Sequence, residues 1–374
     1  MIVIADDITG AAEIAGIAFT RGERVRLVCG CPTATDQTTV IATDTRSMSE
    51  DEAVAETKRI ATALAPLPLG GGGAGPHLFK KTDSALRGHV VAELSALMQA
   101  TGYRRAVYLP ANPSKGRIIR GGIYYIKEVR ENHSETGDVP IHETAFSYDP
   151  EFPAKTSVLK ERFPDAADKG ILMPDAESLE DIHRIVATYN DGQTLFAGAA
   201  DLFSALLETT HPSPLTTHHS PLTSHPIPSG GAGGGLLILC GSTQSKPLDL
   251  GIPISAMPLE VYDGSDDISL WDASAYYTTN SLILTIPFTH RTGKAVAVHL
   301  RSAMARKVKN LVEHHYPDSL IIEGGATAWA TLQTLRWTHF DILRQIAPGV
   351  VQMRAANGTV VTLKPGSYPW GGLL

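Results

Sequence analysis

The chain has 374 residues, 43% of them hydrophobic and 19% charged, which is globular composition and too long for one ordinary core, so about two domains are expected. With 32 basic against 39 acidic residues the net charge is −7, which excludes a general nucleic-acid surface. No apolar run approaches the roughly 18 residues that cross a bilayer, and the start Met1-Ile2-Val3-Ile4-Ala5 leaves no room for a signal peptide, so a soluble, cytoplasmic protein is expected.

Residues 1–5 are an uninterrupted apolar strand, the mark of a sheet buried on both faces. Asp6-Asp7-Ile8-Thr9-Gly10 follows, then a helical segment over 11–20 that Asp7 or Thr9 can cap. Strands are expected over 25–29 and 39–43, the second ending in Asp44-Thr45-Arg46-Ser47. Ser49 and Glu52 form a capping box for a helix over 51–64. Gly70 to Gly75 matches G-x-G-x-x-G but precedes a strand, the wrong context for a dinucleotide fold, and reads as a connector.

Lys80-Lys81-Thr82-Asp83-Ser84-Ala85-Leu86-Arg87-Gly88 then lies between the apolar pair Leu78-Phe79 and an amphipathic segment over 89–100. That is a strand, a polar turn and a helix start, where an α/β sheet opens its ligand crevice. Another strand over 103–109 ends in the irregular loop 110–117, and Gly121-Gly122 opens a short hairpin. A further strand and helix follow over 170–189, with Ser178 and Asp181 as a capping box, and then a strand over 195–198 and a helix over 200–207. Strands alternating with helices imply a doubly wound parallel sheet.

Composition shifts over 209–235, which carries much Pro, Ser, Thr, His and Gly and no apolar period, so it reads as a linker or mobile loop. Its histidines have no cysteine or carboxylate beside them and give no metal signal. Cys29, Cys31 and Cys240 are likewise too sparse for a zinc site. A second α/β domain is expected over 236–374. Strands over 236–240, 281–286 and 320–322, helices over 293–315 and 328–335, and a hairpin turning at Asn357-Gly358 make it up.

The two halves carry different chemistry. The first, over 1–208, gathers Asp6, Asp7, Arg46, Lys81, Asp83, Ser84 and Arg87 at strand ends, a palette for a small polyhydroxylated acid. The plain alternatives are a solvated turn, a helix cap and a salt bridge for Arg46. The second gathers Gly241-Ser242, Gly324-Gly325-Ala326-Thr327 and Gly366-Ser367, where small residues let a phosphate approach backbone N–H groups. Together they describe phosphoryl transfer to a hydroxyl, with Asp7 and Asp83 as candidate bases and Mg2+ arriving with the nucleotide. Metal-dependent hydrolysis through Asp6, Asp7 and Asp83 is a further reading.

Asp6-Asp7-Ile8-Thr9-Gly10-Ala11, Lys81-Thr82-Asp83-Ser84-Ala85-Leu86-Arg87-Gly88, the loop 110–117, Gly241-Ser242, Gly324-Gly325-Ala326-Thr327 and Leu363-Lys364-Pro365-Gly366 resemble, in order, the motifs of the four-carbon acid sugar kinase family. The resemblance implies an N-terminal sugar-acid domain and a C-terminal nucleotide-binding domain. It also implies ATP-dependent phosphorylation of threonate, erythronate or a keto derivative at the terminal hydroxyl. Asp7, Arg46, Lys81, Asp83 and Arg87 would line the acid site, and Ser242, Gly324, Gly325, Ala326, Thr327 and Gly366 would contact ATP. The family usually has Glu where Ala326 stands, which motivates the alternative of a non-catalytic sugar-acid sensor. The expected partners are the sugar acid and ATP, with neither nucleic acid nor membrane; a homodimer stays open.

Overall fold

In a computed structural model, the structure describes residues 1–30, 37–64, 77–129, 136–149, 151–210, 235–241, 248–287, 293–366 and 370. Ser242, Ser367, Cys31, the glycine run at 70–75 and most of the expected linker lie outside them. The chain divides into two compact units, Met1–Ile14 with Gly30–Leu215, and Ala15–Cys29 with Thr216–Leu374.

In the first unit the strands lie in the order Thr38–Ala42, Ile2–Ala5, Leu78–Lys81, Thr194–Gly198, Arg105–Leu109 and Ile171–Leu172, all parallel. Their side chains are apolar on both faces because helices such as Glu50–Leu64, Val90–Thr101 and Leu179–Tyr189 connect them. Ile2–Ala5 sits between Thr38–Ala42 and Leu78–Lys81, so the chain leaves it toward opposite sides, and this is the switch point where α/β sheets bind ligands. Register levels the strand ends: Ala5 pairs with Ala42 and Lys81, Lys81 with Gly198, and Gly198 with Leu109. Asp6, Thr43 and Thr82 therefore leave the sheet side by side. A Cβ on Gly198 would lie 2.0 Å from the Leu109 carbonyl oxygen, so only glycine fits there.

The expected hairpin belongs to an antiparallel three-stranded sheet of Arg117–Arg120, Ile123–Val129 and Thr136–Pro140. Both capping boxes form, Ser49 with Glu52 and Ser178 with Asp181.

The second unit's strands run Ile254–Ala256, Ser281–Thr285, Leu236–Cys240, Ser319–Glu323 and Val360–Lys364 in parallel, followed by antiparallel Val350–Ala355, His339–Ala347 and Val25–Cys29. The hairpin at Asn357-Gly358 is present, joining Val350–Ala355 to Val360–Lys364. Strand His339–Ala347 has no counterpart in the sequence reading, and it sets Val25–Cys29 in the second unit, with Arg26 holding Asp341 at 3.1 Å. That grouping rests on pairing between residues some three hundred positions apart, which local patterning does not encode.

Candidate functional site

In the first unit Arg46 is the hub. It stands in the 3₁₀ turn Thr45–Ser47, just past the strand Thr38–Ala42, beside the ends of two neighbouring strands. Its Nε and NH2 donate to the two carboxylate oxygens of Asp6 at 3.1 and 2.8 Å, and NH1 donates to Asp7 Oδ2 at 2.9 Å. NH1 also lies 3.7 Å from Asp83 Oδ1. One guanidinium thus gathers three carboxylates, which repel one another without it.

Asp7 continues into the helix Ile8–Thr20, where its Oδ1 accepts the Gly10 N–H at 2.7 Å and its Oδ2 accepts the Thr9 hydroxyl at 2.5 Å. Asp83 is held by the fork of Arg87, Nε to Oδ2 at 2.9 Å and NH2 to Oδ1 at 3.0 Å, and by the N–H groups of Ala85 and Arg87. Arg87 also reaches Asp149 at 3.4 Å. The turn that brings these groups together puts Leu86 at φ 63°, a left-handed conformation that a buried non-glycine residue adopts only where its surroundings impose it.

The charges follow this geometry. Burial works to raise all three carboxyl pKa values. For Asp83 it is outweighed by Arg46, Arg87 and Lys81, which hold the group well below the usual carboxylate range. Asp7 is also lowered, burial being overcome by Arg46, Thr9 and Lys81. Asp6 goes the other way, raised by burial with Asp7's charge adding to it against Arg46. Asp7 and Asp83 are therefore carboxylates at neutral pH.

Lys81 Nζ lies 3.3 Å from Glu13 Oε2 and donates to the Thr82 carbonyl at 3.0 Å, while Lys115 pairs with the same Glu13. Ser84 accepts from Arg117 through its hydroxyl, and its carbonyl accepts from Tyr124. All seven residues expected to form the acid site thus lie in one hydrogen-bonded region. Lys80 does not join them: it points into the interior and gives Nζ to Glu93 Oε2 at 2.5 Å. Thr45 and Thr57 donate to the same oxygen, so this buried network fixes the backbone immediately before Arg46.

Sequence reasoning missed Glu13, Arg117, Tyr124, Phe146 and Asp149. Glu13 is the single charged residue in the helix Ile8–Thr20, a signal that was there to be read. Phe146 and Asp149 come from and just after the turn Ala145–Tyr148, far away in sequence and without a motif. Among the described residues no His, Cys, Asp and Glu group is arranged to hold a metal ion.

The second unit has a cradle of a different kind. Register again levels the strand ends, Cys240 beside Thr285 and Glu323, and Glu323 beside Lys364. Gly241, Gly324 and Pro365 come next. Gly324 has φ 92° and leads directly into the helix Gly325–Leu335, whose first turn has no side-chain cap. A Cβ on Gly241 would lie 2.1 Å from Thr327 Oγ1 and 2.8 Å from the Glu323 carbonyl oxygen, so a glycine is required. Ala326 is exposed, Thr327 buried, and Gly366 half-buried. Beneath them Lys364 donates to Glu323 Oε1 at 2.6 Å, both side chains being buried, and the Lys364 ammonium lies 4.7 Å from the Trp370 ring centroid. Uncapped N–H groups at a helix start, approached by glycine backbone, suit a phosphate. Burial, with Glu323 adding to it, pushes the Cys240 thiol up to about 12, so it is inert there.

These two constructions, a carboxylate and guanidinium cluster in one α/β unit and a glycine cradle in another, match two family models. A sugar-binding N-terminal domain matches residues 1–164, and a nucleotide-binding C-terminal domain matches residues 276–368. The two domain models, with the curated relatives below, support a four-carbon acid sugar kinase family for this chain. It is 31% identical over 164 residues to the D-threonate kinase of Salmonella typhimurium, covering 43% of this chain and 35% of that one. It is 28% identical over 167 residues to the D-erythronate kinase of Heliobacterium modesticaldum, covering 42% and 34%. The chain spans about a third of the length of these curated relatives. The fold is shared with the Haemophilus influenzae protein HI1011 at a TM-score of 0.66 and 19% identity, over 100% of this chain and 98% of that one.

Proposed function

We propose that this protein phosphorylates the terminal hydroxyl of a four-carbon sugar acid, such as threonate, erythronate or a keto derivative, at the expense of ATP. The observation that carries this reading is the convergence of Asp6, Asp7, Arg46, Lys81, Asp83 and Arg87 at the level carboxyl ends of three parallel strands. The relatives named as D-threonate and D-erythronate kinases support the substrate class.

Of the two candidate bases, Asp7 is the better placed. Asp83 Oδ2 already accepts from Arg87 Nε, Arg87 N and Ala85 N, and its Oδ1 faces two guanidinium groups, which leaves it little accepting capacity. Asp7 accepts from Thr9, Gly10 and Arg46 and keeps room for one more donor, the substrate hydroxyl. In the reaction that hydroxyl oxygen bonds to the γ-phosphorus, its proton passes to Asp7, and the bond to the leaving ADP oxygen breaks. A low pKa does not disqualify Asp7, since phosphoryl transfer asks its base chiefly to orient the nucleophile. Asp83 and Arg87 shape the loop, and Lys81 offsets charge as the hydroxyl loses its proton.

Gly241, Gly324, Gly325, Ala326, Thr327 and Gly366 form the nucleotide cradle in this reading, with Ser242 outside the described residues. The uncapped helix start after the left-handed Gly324 fits a phosphate group. Magnesium, carried in on the nucleotide, supplies charge neutralisation. A coupled ADP-release assay across stereoisomeric threonates, erythronates and their 3-oxo acids tests the proposal. Release that depends on one of these acids is expected. No turnover with any of them under Mg-ATP sinks it.

A further inference from the structure

The cations around the acid site are nearly all occupied. Arg46 faces Asp6 and Asp7, Arg87 faces Asp83 and Asp149, and Lys81 and Lys115 face Glu13. Arg162, also beside the loop, gives its terminal nitrogens to the carbonyls of Pro153 and Leu86. Arg117 differs from all of them. Among the described residues it has no carboxylate partner, and its side chain makes one hydrogen bond, NH1 to Ser84 Oγ. It is half-buried at the start of the strand Arg117–Arg120.

Two features hold this guanidinium in place without neutralising it. Its carbon lies 5.6 Å from the centroid of Phe146, and the same ring carries Arg87 at 5.9 Å. An aromatic face stabilises a cation while leaving the planar N–H fork free at its edge. Tyr124 donates its hydroxyl proton to the Ser84 carbonyl, with the Pro110 carbonyl 3.3 Å away, fixing the serine that Arg117 contacts. A half-desolvated guanidinium with no charge partner is costly unless an anion completes it.

We infer that Arg117, steadied by Phe146 and Ser84, takes the carboxylate of the sugar acid and so makes the site prefer acids over neutral four-carbon sugars. This rests on the proposed sugar-acid reading and assigns its carboxylate to a different residue. Arg87, expected from the sequence to serve the acid, instead holds Asp83. The fork geometry of Arg117 suits a carboxylate bidentately, and such a charge-assisted pair accounts for about 10- to 100-fold in affinity.

The test is calorimetric titration of the full chain, without nucleotide, with D-threonate, D-erythronate and the neutral polyol threitol. The wild-type chain is expected to prefer an acid to threitol. Arg117→Met should weaken acid binding by about 10- to 100-fold and leave threitol binding unchanged, with Arg117→Lys in between. Phe146→Leu, which keeps the charge and removes its support, should weaken acid binding about 2- to 5-fold and covers the case in which Arg117→Met does not fold. Acid binding unchanged in a folded Arg117→Met, or in Phe146→Leu when the first variant is unfolded, overturns the inference alone. A wild-type chain that binds none of the acids overturns the sugar-acid reading and this inference together.

Discussion

The cluster around Arg46 is built from side chains, whereas the cradle at Gly241 and Gly324 is built from backbone. The first concentrates Asp6, Asp7 and Asp83 on one guanidinium, so folding must bury several charges together. The second has no charge on its surface-forming residues. It stores its constraint in a left-handed Gly324 and in the contact of Gly241 with Thr327. A side-chain site is sensitive to charge, and a backbone site to volume. Each should therefore fail under the substitution that the other tolerates.

The largest effect should come from Arg46→Met. It leaves Asp6 and Asp7 without their guanidinium at a nearly buried position, Asp83 keeping Arg87, and should cost about 3–5 kcal/mol of stability, read by denaturant unfolding, together with loss of acid-dependent turnover. A stability change below about 1 kcal/mol would mean the cluster is solvated and the contrast false. Asp7→Asn keeps the shape and most hydrogen bonds, so folding should survive while kcat drops about 10²- to 10⁴-fold. Asp83→Asn compared in the same assay decides between the two aspartates: if it lowers kcat more than Asp7→Asn with wild-type melting, the base is assigned to the wrong residue.

Gly241→Ala probes the cradle through volume alone. Forcing a Cβ to 2.1 Å from Thr327 Oγ1 should cost about 1–3 kcal/mol and raise the KM for ATP, while calorimetric sugar-acid binding stays at the wild-type level. Weakened acid binding in that variant would break the division between the two sites.

The gentlest test is pH. Asp7 and Asp83 have folded pKa values below their ordinary 3.8, so their stabilising contribution is present above about pH 4 and is lost as pH falls through the folded values. Asp6, raised instead, opposes them where it is ionised. The melting temperature should fall as pH drops below about 4. A Gly241→Ala variant should show the same acid limb, displaced but parallel.

Much of the acid cluster was legible because charged side chains announce themselves at the ends of apolar strands. Asp6, Asp7 and Arg46 each stand directly after or just past such a run, and Lys81, Asp83, Ser84 and Arg87 share one turn. The residues that complete the cluster were not legible in the same way. Arg117 begins a hairpin strand and Phe146 sits in a 3₁₀ turn, and only the folded chain brings them to Ser84 and Arg87. The cradle was read from paired glycines, but the reason Gly241 must be glycine is its neighbour Thr327, 86 positions on by the numbering (327 − 241). The fold's parallel strands declared themselves by apolar runs. His339–Ala347 did not, being half polar along its exposed face.

The placement of Ala15–Cys29 with the second unit has a practical corollary for dissecting the gene. A fragment starting after residue 208 would lack Val25–Cys29, and the strand His339–Ala347 would present a bare hydrogen-bonding edge, a template for self-association. Such a fragment should precipitate on expression. Fusing residues 15–29 back through a flexible tether would restore the missing strand and is the way to obtain the nucleotide-binding half as a tractable reagent.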